Sequence, residues 1–89
     1  MNHWAIRHDL VDGTAPAERG GNIWESRGFP RTFTNHNLPV EFQLLDDDSN
    51  CYFLGRMQVA DFDPLDDFGR SYGCTELRYR EKNSGWRQL

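Results

Sequence analysis

The sequence has few cysteines and no apolar run near the roughly twenty residues that a helix needs to cross a bilayer, so no transmembrane segment is predicted. Its two cysteines, Cys51 and Cys74, lie 23 positions apart, whereas a disulfide-stapled secreted scaffold carries four or more. The N-terminal residues lack a basic stretch followed by an apolar one, which predicts no secretory signal. We therefore expect a cytoplasmic protein with reduced thiols.

Aliphatic residues are also scarce, and aromatic residues take their place. The chain has 3 Trp, 3 Tyr and 6 Phe in 89 residues, and each large ring can bury roughly 150–250 Å². This length fits one domain. The composition predicts a small folded core made of rings rather than a disordered chain.

Charge is unevenly distributed along the chain, whose net value is −4. Residues 38–69 hold eight acidic side chains against one basic, and residues 70–89 hold five basic against two acidic. Nucleic-acid affinity comes largely from phosphate neutralisation, so the acidic total makes nucleic acid an unlikely partner. It favours instead a negative surface facing a basic protein.

The predicted fold class is mainly β, or α+β at most, with one antiparallel meander of three to four strands. Apolar and polar residues alternate from Val40, which predicts strands at 40–44, 51–59, 75–80 and 86–89. A bulge is predicted at Gly55, and one helical turn at 64–68 with Asp63 as its N-cap. Residues 1–37 are predicted to be a loosely ordered segment and residues 38–89 the β domain. The predicted core residues are apolar positions of these strands: Phe42, Leu44, Tyr52, Leu54, Leu77, Tyr79 and Trp86.

One stretch of the β domain has a recognisable pattern. Residues 44–48 (LLDDD), Tyr52, residues 55–56 (GR), residues 64–69 (PLDDFG), residues 73–75 (GCT) and Tyr79 resemble small uncharacterised bacterial proteins. The resemblance covers residues 38–89. It implies a domain boundary near residue 38 and no activity.

The first function hypothesis is a non-catalytic protein-binding or regulatory module that presents an acidic surface. No metal ligand set or cofactor is predicted, because the EF-hand spacing opened by Asp46 has Cys51 where glycine and Met57 where glutamate is required. Trp24 and Arg31 are included as interface anchors, with covering of the sheet as the alternative role of Trp24. The predicted partner-binding residues are Asp46, Asp47, Asp48, Asp66, Asp67, Trp24 and Arg31.

Two alternatives remain open. The carboxylates of Asp61, Asp63, Asp66 and Asp67 suggest a metal-dependent enzyme, since clustered carboxylates bind divalent cations. Three arginines near the C-terminus suggest a nucleic-acid-binding module: Arg78, Arg80 and Arg87. A homodimer is a further alternative, because exposed strand edges pair unless they are protected.

Overall fold

The structure is a computed structural model that describes residues 2–11 and 22–89. Its strands are β1 (Trp4–Asp9), β2 (Trp24–Glu25), β3 (Val40–Leu45), β4 (Cys51–Met57), β5 (Glu76–Arg80) and β6 (Arg87–Gln88). The described residues also form one short helix, α1 (Asp63–Asp67), and two 3-10 turns, at Asn35–Asn37 and Gly69–Tyr72. None of the described helices has the length and apolar character needed to cross a membrane.

A single antiparallel sheet organises the described part of the chain, with strand order β2-β1-β4-β3-β5-β6. The mainly β class is confirmed, but the prediction of three to four strands is wrong, because the described residues form six. The two additional strands are β1 and β2, which pair through contacts distant in sequence. The predicted loose segment at 1–37 includes residues 12–21, which lie outside the described residues.

The order of the strands also differs from the predicted meander. In a meander β5 would lie beside β4, but β5 pairs with β3 instead. The connection over residues 58–75 contains α1 and the second 3-10 turn, so it is long enough to cross one face of the sheet. It returns the chain to the outer side of β3, where the Thr75 amide donates a hydrogen bond to the Leu45 carbonyl at 2.8 Å.

Alternation along the strands gives the sheet one apolar and one polar face. On β3, Val40, Phe42 and Leu44 are buried, while Glu41 and Gln43 are half-buried. On β4 the inward residues are Phe53 and Met57, together with Gly55. Of the predicted inward positions on this strand, Tyr52 is half-buried and packs against the core. Leu54 is half-buried outside the core, so that part of the core prediction is wrong. Odd-numbered and even-numbered positions of β4 both carry apolar residues, so the sequence alone does not show which set faces the core. Pairing with β3 determines that the odd-numbered set does.

Gly55 pairs with Ile6 of β1 and with Phe42 of β3 and is not itself an extra residue, so the predicted bulge at Gly55 is wrong. The extra residues lie elsewhere, at Arg7 in β1 and Tyr52 in β4. Glycine is required at position 55 because a Cβ would collide with the Phe42 ring.

The core lies between the apolar face and the segment of α1. Predicted core residues Phe42, Leu44 and Leu77 are fully buried, and Tyr52 and Tyr79 pack against them, but Trp86 is 38% exposed. The core also contains residues not predicted from the sequence pattern: Trp4, Ile6, Phe53, Met57, Leu65, Phe68 and Cys74.

Helix α1 confirms the predicted helical turn but begins at Asp63, one residue earlier than expected. Phe62 is its N-cap, no side chain caps it, and Pro64 lies in its first turn. Pro64 and Leu65 are buried against the sheet, which positions this short helix. Both cysteines are free thiols, Cys74 buried and Cys51 half-buried.

Candidate functional site

The acidic turn between β3 and β4 (residues 46–50) is held together by Asp46. Its carboxylate accepts hydrogen bonds from the backbone amides of Asp48 and Asn50, each at 2.9 Å, and from the Asn50 side chain at 3.1 Å. The Tyr52 hydroxyl donates another at 3.0 Å. The Asn50 backbone hydrogen bond is the main reason that the pKa of Asp46 lies below its usual value. Asp46 therefore acts as a structural residue of the hairpin.

The other two carboxylates of the acidic turn are more exposed. Asp47 accepts a hydrogen bond from the Thr75 hydroxyl at 2.6 Å, which connects the turn to the residue before β5. Asp48 is exposed, and its side chain makes no hydrogen bond within residues 2–11 and 22–89. These residues remain predicted partner-binding positions.

The second acidic segment lies at the opposite end of β4, because it follows Met57 while the acidic turn precedes Cys51. Asp66 is paired with Arg70 at 2.9 Å across one turn. In the described part of the chain, no three His, Cys, Asp or Glu side chains are grouped as metal ligands.

A concavity of about 660 Å³ lies where β1, β2 and α1 meet, and it brings together two of the predicted partner-binding residues, Trp24 and Asp67. We call it the aromatic–acidic concavity. It is lined by Asn2, Trp4, Trp24, Glu25, Ser26, Arg27, Asp63, Asp67 and Phe68. Trp24 reaches it because β2 pairs with β1 in a register that places Trp24 opposite Ile6, on the apolar face.

The apolar wall of this concavity belongs to a cluster of rings centred on Phe68. The Phe68 ring lies 5.0 Å from Trp24, 5.8 Å from Trp4, 5.0 Å from Phe53 and 4.8 Å from Tyr72, measured between ring centroids. Such separations are those of stabilising aromatic pairs. The cluster fixes the positions of the two tryptophans, and Trp24 covers part of the core as the alternative prediction proposed.

The polar wall carries three carboxylates and one guanidinium group, Arg27. The Glu25 carboxylate accepts hydrogen bonds from the Asn22 side chain at 2.7 Å and from Arg31 at 3.3 Å. The predicted residue Arg31 therefore lies at the border of the site. Asp67 makes no ion pair or hydrogen bond within the described residues. Burial, and then the neighbouring Asp61 carboxylate, raise the pKa of Asp63.

Trp4, which lines the same concavity, carries a hydrogen-bond donor without a partner in the described part of the chain. The residue is 4% exposed, and its buried indole Nε1 has no acceptor within residues 2–11 and 22–89. Buried polar groups in native proteins are nearly always paired, so an orphan donor beside a concavity suggests a missing acceptor. The sequence pattern did not predict Trp4, because its pairing with Met57 of β4 depends on contacts distant in sequence.

The polar face of the sheet carries three arginines, Arg56, Arg78 and Arg80. Glu41 binds Arg56 at 3.0 Å and Arg80 at 2.6 Å, and the Arg80 guanidinium lies 4.8 Å from the Trp86 ring centroid. Of the three arginines in the nucleic-acid alternative, Arg87 pairs with Tyr79 in the β5–β6 register and so shares the apolar face. Arg78 and Arg80 lie on the polar face.

Comparison of the chain with protein-family models, with curated proteins and with solved structures finds no match. The resemblance of residues 38–89 to small bacterial proteins stays a prediction.

Proposed function

We propose that this protein is a non-catalytic binding module that accepts a lysine or arginine side chain of a protein partner in the aromatic–acidic concavity. The observation that carries the proposal is the meeting of Trp24 with Asp67, two predicted partner-binding residues 43 positions apart, beside the unpaired indole donor of Trp4. The partner is still expected to be basic, but its contact is the aromatic–acidic concavity and not the acidic turn.

Charge favours a cationic occupant. Three carboxylates and one guanidinium group line the concavity, and Asp67 has no partner within residues 2–11 and 22–89. Burial, and then the nearby Asp61 carboxylate, raise the pKa of Asp63, so its ionised form is disfavoured while the concavity is empty. A cation placed among these groups stabilises their ionised forms.

The rings favour a cation with an apolar stem. A lysine or arginine head near an indole face gains roughly 0.5–1 kcal/mol at an exposed site, and its methylene stem packs against apolar surface. Trp24 is half-buried and Phe68 is 9% exposed, so the wall is fixed by packing before any partner arrives.

The test is an NMR titration of ¹⁵N-labelled protein with two acetylated, amidated tripeptides, Gly-Lys-Gly and Gly-Gln-Gly. We expect the lysine peptide to shift the indole N–H signals of Trp4 and Trp24 and to leave that of Trp86 unchanged. Asp67→Asn should weaken the interaction about threefold, as expected for loss of a partly exposed ion pair of under 1 kcal/mol.

The control variant is Asp48→Asn, which removes an exposed carboxylate from the acidic turn and should change nothing. Equal shifts with the glutamine peptide, or equal losses in the two variants, would reject the proposal. Shifts confined to the acidic turn would assign binding to Asp46, Asp47 and Asp48 instead.

A further inference from the structure

The polar face of the sheet holds a second concavity, of about 300 Å³, which we call the arginine concavity. It is lined by Arg7, His8, Glu41, Phe42, Gln43, Leu54, Gly55, Arg56, Arg80 and Trp86. It lies on the face opposite to Met57 and Phe68, because Arg56 pairs with Ala5 and Glu41 and alternates with the buried residues of β4. It is therefore separate from the aromatic–acidic concavity.

The bulge in β1 builds this site. Ile6 pairs with Gly55 and His8 with Leu54, so Arg7 is the extra residue. A bulge re-aims side chains, and here two consecutive residues, Arg7 and His8, line the same concavity. In a regular strand they would point to opposite faces.

Among the arginines of this concavity, Arg7 has a buried nitrogen with no hydrogen-bond acceptor in the described part of the chain. Its Nε is buried without an acceptor, and no ion pair to Arg7 occurs in the described residues. Burial, and then the nearby Arg56 guanidinium, lower the pKa of Arg7. By contrast, Arg56 has two acceptors, the Leu38 carbonyl at 3.3 Å and Glu41 at 3.0 Å.

We infer that the arginine concavity binds the phosphate monoester of a small aromatic compound, such as a nucleoside 5′-monophosphate. Three guanidinium groups face one carboxylate there, which leaves two positive charges. A phosphate monoester carries about −1.5 to −2 charges at pH 7 and matches that excess, while a single carboxylate supplies −1. Guanidinium forks also suit phosphate oxygens geometrically.

The ring of the ligand is placed by Trp86 and Leu54. Trp86 is 38% exposed, with Arg80 stacked on it at 4.8 Å, and Leu54 is half-buried. An aromatic group beside the phosphate covers this apolar surface, since exposed indole rings are favourable stacking platforms for bases. The volume is at the small end of the range for ligand pockets, which suits one mononucleotide.

The experiment is a titration of the protein with AMP at low salt, followed by the assigned indole N–H of Trp86 and by the backbone amides of β1 and β4. We expect saturable shifts within about 10 mM ligand, a range that detects even weak binding. Adenosine, which lacks the phosphate, and inorganic phosphate, which lacks the ring, should each bind at least about tenfold more weakly.

Arg7→Gln should weaken AMP binding about tenfold or more, because it removes a charged hydrogen-bond donor. The matched control is Arg78→Gln, which lies on the same face but contacts Ser49 at 3.4 Å and does not line the concavity. Trp86→Leu, at an exposed position, gives an independent test that does not depend on the fold tolerating a change at residue 7.

Several results would overturn the inference. These are equal affinity for adenosine and AMP, equal affinity for inorganic phosphate and AMP, and equal losses in Arg7→Gln and Arg78→Gln. Tighter binding of a 5′-hydroxyl octathymidylate than of AMP would make the face a nucleic-acid backbone surface instead. Because the probes and residues differ from those of the lysine-peptide titration, either proposal can fail alone.

Discussion

The Phe42 ring occupies the space that a side chain at Gly55 would need. A Cβ built on Gly55 lies 2.5 Å from Phe42 Cζ and still closer to the backbone oxygen of Ala5. Both obstacles are fixed, because Phe42 is fully buried and Ala5 belongs to the neighbouring strand. Gly55 thus lies in both strand pairs of β4, opposite Ile6 of β1 and Phe42 of β3.

Gly55→Ala should therefore destabilise the protein by about 2 kcal/mol or more, since overpacking a filled core typically costs 1–3 kcal/mol. Urea unfolding followed by tryptophan fluorescence measures the change. Gly85→Ala is the matched control, because no heavy atom lies within 4 Å of its added Cβ. Similar unfolding midpoints for the two variants would contradict the packing described here.

Asp46→Asn should lower the melting temperature at neutral pH. The folded-state pKa of Asp46 is below its usual value of 3.8, chiefly through the Asn50 backbone hydrogen bond, so folding favours its ionised form. That stabilisation is present above the usual pKa and is lost as the pH falls through it toward the lowered value. The difference between wild type and variant should accordingly shrink in acid.

Melting curves between neutral pH and the acidic range test this expectation. Asp48→Asn is the control, because its side chain makes no hydrogen bond within the described residues and should have little effect. A deficit in Asp46→Asn that grows as the pH falls would give the wrong sign.

Asp63→Asn should have the opposite effect and raise the melting temperature at neutral pH. Burial and Asp61 raise the folded-state pKa of Asp63 above 3.8, so the ionised carboxylate disfavours folding. This penalty is complete above the raised pKa and is relieved as the pH falls through it toward the usual value. If the same variant also weakens lysine-peptide binding, Asp63 is a site residue retained at a cost in stability.

Differential scanning calorimetry at several pH values measures the predicted gain. Asp66→Asn is a suitable comparison, because Asp66 is already paired with Arg70 at the surface. A lower melting temperature for Asp63→Asn at neutral pH would contradict the prediction and show that the Asn2 side-chain hydrogen bond to Asp63 outweighs burial and Asp61.

Cys74 should resist alkylation while the protein is folded. The thiol is 1% exposed, and burial, followed by the influence of Cys51, raises its pKa to about 11. The reactive species is the thiolate, which is scarce at pH 8 for such a group. Mass spectrometry after iodoacetamide treatment should show no adduct at Cys74 in buffer and complete reaction in urea. A Cys74 adduct under native conditions would place this thiol outside the core.

The local sequence pattern was sufficient to predict the β3–β4 hairpin, the acidic turn and the inward face of β5. Leu77 is buried and Arg80 is exposed as the period-two rhythm predicts, because β5 is apolar at one parity only. The same rule failed for β4, where Phe53 and Tyr52 are both apolar and neighbouring strands choose the inward set. It also missed β1, whose partners lie far along the chain.

For the candidate sites as well, the sequence predicted some residues, but only the tertiary structure shows which of them lie together. The sequence singled out Trp24 and Asp67 by residue type, but their meeting depends on the path of α1 beneath β1 and β2. Arg7 gave no signal at all, since nothing in its sequence neighbours reveals that its Nε lacks an acceptor among the described residues.

By itself, the sequence determined the β class, the hairpin with its acidic turn, and the place of the helical turn, because each depends on residues close together in the chain. Tertiary structure decided the six-stranded order, the inward face of β4 and both concavities. Strand pairing across long sequence separations determines which polar groups come within reach of a partner. The pairing of Trp4 with Met57 buries the Trp4 indole, whose Nε1 has no acceptor among the described residues.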